Sequence, residues 1–70
     1  MRRKEVIKRI DEAAKEQGRE LKLLRHGARH DVYLLGSSRI PIPRHKEFSN
    51  QFAEVVWREC SDVLGEGWWR

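Results

Sequence analysis

The sequence predicts a small α+β domain of order α-β-β-β-α, and three observations carry that prediction. Val6, Ile7, Ile10, Ala13 and Ala14 recur at helical spacing near the start. Three short runs rich in Leu, Val, Tyr and Ile then lie between turn residues. A second helical stripe closes the chain behind a serine suited to cap it. Short connections favour pairing between neighbours in sequence, so the expected architecture is a three-stranded antiparallel sheet with both helices on one face. Seventy residues make one domain spanning 1–70, with a core of about 3–64 and a short Trp-containing tail at 65–70. A chain of this size buries only about 60% of its unfolded surface, so the core is thin and a homodimer or a partner would add stability.

Helix one is "RKEVIKRIDEAAKEQG", with Lys and Glu on its outer face and Gly18 placed to stop it. "ELKLLRH" alternates Leu21 and Leu23 with Glu20 and Lys22 as a first strand; "DVYLLG" and "RIPIP" are the second and third. "HGARH" turns the first hairpin and "GSS" the second. Pro41 and Pro43 donate no ladder hydrogen bonds, which makes the third strand an edge with Ile40 and Ile42 facing the core. Helix two starts near Ser49 and runs to Gly65, its apolar stripe formed by Phe52, Val55, Val56, Cys60, Val63 and Leu64. Trp57 falls off that stripe. Trp68 and Trp69, beyond a glycine-rich hinge, either fold back over the core or join an interface, where aromatics are enriched.

Charge is unevenly distributed. Residues 1–18 carry +2, residues 19–46 carry +5 and residues 47–70 carry −3. The cationic middle third also holds His26, His30 and His45. Clustered positive charge is the footprint of a surface that meets phosphates, although charge alone is equally compatible with a solvated basic surface. A lone cysteine, Cys60, forms no intrachain disulfide and no metal-ligand pattern, and reads as a small core residue suited to a reducing cytoplasm. The N-terminal segment lacks the apolar run of a signal peptide, and nothing approaches the roughly 20 apolar residues of a membrane span. A soluble, cytoplasmic protein is the expectation.

"LRHGARHDVY" holds more titratable groups than a chain reversal needs. RNA carries its own nucleophile in the 2′-hydroxyl. Strand cleavage then asks for a base, an acid and a positive charge at the scissile phosphate, and no metal need take part. Imidazole, with an ordinary pKa near 6.5, serves as acid or base. Guanidinium grips phosphate bidentately, which makes Arg29 a candidate beside His30, while Arg25, Arg44 and Lys46 are candidates for tracking the backbone. His45 is a secondary candidate for catalysis or phosphate contact. Against this stands the ordinary role of a loop histidine as a hydrogen-bonding surface group, and the ordinary role of Tyr33 in packing rather than base stacking.

Two motifs add a family to this reading. The turn "GARHDVY", a G-x-x-H-x-x-aromatic pattern, and the strand end "PIPRHKE" occur in order between an amphipathic first helix and a final helix. Over roughly residues 3–64 the chain resembles the HicA family of bacterial toxins. The resemblance implies a fold similar to double-stranded-RNA-binding domains and an endoribonuclease (mRNA interferase) activity with no metal or other cofactor. It further implies His30 as the catalytic group, mRNA as substrate and a cognate HicB antitoxin as partner. Ala28 and Arg29 stand between Gly27 and His30, where the commoner pattern is G-S-H or G-G-H. The alternative is a non-catalytic double-stranded-RNA-binding-type module. A DNA-binding regulator is disfavoured because helix two is acidic and helix one mixed.

Overall fold

A computed structural model describes residues 1–70, in the order α1 (Arg3–Glu16), β1 (Leu21–His26), β2 (His30–Leu35), β3 (Ser38–Pro43), α2 (Asn50–Glu59) and α3 (Ser61–Leu64). The sheet is three-stranded and antiparallel with β2 in the centre, so β3 is an edge as its prolines require. Ile40 and Ile42 of β3 and Leu35 of β2 point into one core with Val6, Ile10 and Ala14 of α1 and Ala53 and Val56 of α2. Both helices therefore cover the same face. The second hairpin is a two-residue turn in which Gly36 takes the positive φ of 58° that its first position requires.

The second helix departs from expectation in two ways. It stops at Glu59 and resumes as α3, because the Cys60 amide donates to Trp57 O at 3.0 Å, a tighter turn than the α-helical one. Its buried face is also rotated relative to the expected stripe. Trp57 is buried, whereas Phe52 and Val55 are 37% and 45% exposed. The large indole decides the rotation: it enters the core and its Nε1 donates to Val6 O at 3.2 Å, which satisfies the one polar atom it carries inward. Ser49 is the N-cap, its hydroxyl accepting from the Phe52 amide at 3.1 Å.

The C-terminal tail folds back over α2. Trp68 donates to Trp57 O at 2.7 Å, Trp69 is 8% exposed, and its carbonyl accepts from Arg9 Nη2 at 2.6 Å. The two tail tryptophans thus cap the core, with the Arg9 guanidinium 4.9 Å above the Trp57 ring. No helix is long and apolar enough to cross a membrane.

Truncating Trp57 to alanine removes both its packing and its hydrogen bond, and is expected to cost about 3–5 kcal/mol, read as a shift in the urea midpoint. Cys60 gives a second test. Burial, with Glu59 adding repulsion, pushes its thiol up from 9.0 to about 12. Below pH 9 the thiol is neutral in both folded and unfolded chains. Between 9 and 12 only the unfolded chain ionises, so stability falls across that window. Cys60→Ala should remove this part of the alkaline fall in thermal melts, and a thiol reagent should label Cys60 only on unfolding.

Candidate nucleic-acid interface

The tip of the β1–β2 hairpin, Gly27–Arg29, is closed by the Gly27 amide donating to His30 O at 3.0 Å. A Cβ on Gly27 would run into that same carbonyl, so the close approach demands glycine. Arg44, just past β3, holds the tip from the other side. Its backbone N–H donates to Arg29 O at 3.1 Å and its Nη1 to Gly27 O at 2.9 Å. The segment that follows is pinned to the start of the chain, with Arg3 N–H on Lys46 O at 2.9 Å and Phe48 N–H on Met1 O at 2.7 Å. Turn, linker and the start of α1 therefore meet at one end of the sheet.

A buried carboxylate organises this meeting. Asp31, 5% exposed on the helix-covered face of β2, accepts from Arg3 Nη2 at 2.7 Å through Oδ2. Arg3 Nε also donates to Pro43 O at 2.7 Å, so one guanidinium ties α1 to both β2 and β3. On the other oxygen, His26 Nδ1 lies 2.8 Å away and Arg44 Nε 3.8 Å away. Neither approach has the alignment of a hydrogen bond, and Oδ1 has no aligned donor.

A bulge in β1 produces the His26 contact. Leu23 pairs with Tyr33 but Arg25 pairs with Val32, one residue out of step. In an unbroken register Arg25 would oppose Asp31; the extra residue places His26 there instead and sets Arg25 beside Val32.

Two adjoining grooves open at this end. The first, about 840 Å³, is lined by Arg29, His30, Arg44 and His45, with Phe48 and Phe52 on its apolar side. The second, about 650 Å³, is lined by Arg2, Lys4, His26, Arg44 and Lys46 around the Arg3–Asp31 pair. Arg44 and Glu47 line both, so the grooves adjoin at these two residues.

Of the residues the sequence singled out, His30, Arg29, Arg44 and His45 come together in the first groove and Lys46 lies in the second. Arg25 lines neither. Arg2, Lys4, His26, Asp31 and Phe52 were not singled out as site residues. A signal existed for Asp31, a carboxylate in step with Tyr33 and Leu35 on the core face of a strand. His30 opens β2, is exposed and has no hydrogen bond from another side chain to its ring. Comparison of the chain with known protein families, curated proteins and solved structures returned no match. The resemblance to HicA toxins rests on the sequence motifs alone.

Asp31→Ala leaves the Arg3 guanidinium, 21% exposed, without its carboxylate. The expected loss is about 3 kcal/mol, the lower end for breaking a buried pair. Urea unfolding of Asp31→Ala, Arg3→Ala and the double variant measures it, and the double variant should lose less than the sum of the singles.

Proposed function

We propose that the chain is an endoribonuclease of the HicA toxin kind, with His30 moving the proton at the scissile phosphate and the fold read as similar to double-stranded-RNA-binding domains. The observation that carries the reading is the convergence of His30, His45, Arg29 and Arg44 on one groove at the sheet end. Each supplies something the reaction needs. A phosphate held by Arg29 and Arg44 meets two guanidinium groups, which offset the charge that grows on its oxygens.

One imidazole takes the proton from the 2′-hydroxyl as that oxygen attacks phosphorus. The bond from phosphorus to the 5′-oxygen breaks, and the departing oxygen receives a proton from the other imidazole or from water. The balanced products are a 2′,3′-cyclic phosphate and a 5′-hydroxyl. Arg2, Lys4 and Lys46, which line the second groove, track the RNA backbone past the reacting phosphate in this reading. A HicB-type antitoxin in this reading is an acidic partner that covers the same cationic end.

One feature favours the non-catalytic alternative: no side chain orients the His30 ring, whereas general bases are commonly held by a third group. Expression separates the two readings. The ribonuclease reading predicts that wild type arrests growth and degrades mRNA while His30→Ala at the same level does neither. If His30→Ala is as harmful as wild type, or if both are harmless, His30 is not the chemical centre. Backbone tracking has its own readout. Lys46→Ala should weaken RNA binding across sequences and reduce the slope of log affinity against log salt by about one unit of charge.

A further inference from the structure

The first groove is not purely cationic. It is also lined by two phenylalanines, Phe48 just before the α2 cap and buried, and Phe52 in the first turn of α2 and 37% exposed. Their rings meet edge to face at 5.1 Å and 80°. Phe48 is thus a fixed brace, and Phe52 is held with part of its surface open to the groove. The Ser49 cap fixes the first turn of α2 from which Phe52 projects. Isolated exposed apolar residues are ordinary. Phe52 is unusual in sharing its groove with Arg29, Arg44, His30 and His45.

We propose that Phe52, braced by Phe48, is a platform on which an unpaired nucleobase stacks beside the phosphate held by Arg29 and Arg44. The proposal rests on the RNA reading above and adds to it a subsite and a substrate form. A ring next to a phosphate clamp has a physical occupant in nucleic acid: every base has a π-face, and stacking on an aromatic side chain combines with backbone neutralisation in single-strand recognition. A base inside a duplex is stacked on its neighbours and offers no free face. The RNA at this groove is therefore single-stranded or locally opened, even though a double-stranded-RNA-binding type of fold would by itself point to duplex shape.

Charge complementarity argues for nucleic acid over a protein helix as the occupant. Two guanidiniums line the groove with the ring, against the single carboxylate of Glu47, and two imidazoles there can hydrogen-bond to phosphate.

The test uses the full chain and a short 2′-O-methyl RNA strand, which lacks the nucleophile and is bound without being cut, carrying one 2-aminopurine. Stacking on Phe52 is expected to change the fluorescence of that base on binding, and Phe52→Ala to abolish the change and weaken affinity roughly ten-fold. Phe52→Leu, which keeps the apolar packing against Phe48, should behave like alanine, and Phe52→Trp like wild type. A blunt duplex of the same sequence should bind with no sensitivity to position 52. Equal affinity and fluorescence for wild type, Phe52→Ala and Phe52→Leu would overturn the platform, leaving Phe52 as a packing or protein-contact residue. Failure of cleavage is separable, because binding of the uncleavable strand does not depend on it.

Discussion

The ion pair between Arg3 and Asp31 is the constraint on which the sheet end depends. A carboxylate on the core face of the central strand is costly unless paired, and only one side chain reaches it with an aligned hydrogen bond. That guanidinium comes from the first turn of α1 and also donates to the last residue of β3. Helix, central strand and edge strand are thereby fixed at one point. The cost of burial is offset because both partners remain hydrogen-bonded and Arg3 is not wholly removed from water. Such a pair adds less net stability than an apolar contact of similar size would. Its value here is positional, since it sets where Arg44, His45 and the hairpin tip come to lie.

From that anchor the cationic end follows. Arg44 closes the tip through Gly27 and Arg29 carbonyls, and the residues after it pair with the first residues of the chain. Cations distant in sequence, Arg2 and Lys4 at one end and Arg44 and Lys46 in the middle, become neighbours. Asp31 makes its hydrogen-bonded pair with Arg3 rather than with any of these four. The tryptophans pack where α1 and α2 meet, Trp57 on Val6 O and Trp69 on Arg9. A thin core of 13 buried apolar residues is completed there by Trp57 and the returning tail.

Much of the architecture was legible in the sequence because local rules decide it. The α1 spacing, the Ser49 cap, the prolines of β3 and the Ile40 and Ile42 pair each specify one outcome. The stripe of α2 was not, because Phe52, Val55 and Val56 and the alternative set containing Trp57 are both valid helical faces; the packing of one indole selects between them. The break at Cys60 has no sequence signature. At the candidate site, His30, Arg29, Arg44 and His45 were found by residue type, and the strand order brought them together. Arg25 lines neither groove; the bulge at Leu24 shifts the register by one, sets Arg25 beside Val32 and puts His26 opposite Asp31. Arg2 and Lys4 were missed because the pairing of the linker with the chain start is a long-range contact that no local pattern announces.

The central claim is that this cationic end performs RNA cleavage through His30. The most direct measurement is the chemistry of the ends produced when the purified protein acts on a long RNA. The account predicts fragments ending in 2′,3′-cyclic phosphate, with matching 5′-hydroxyl ends and none from His30→Ala. RNA that stays intact under conditions where it is demonstrably bound would contradict it, as would fragments with 5′-phosphate ends.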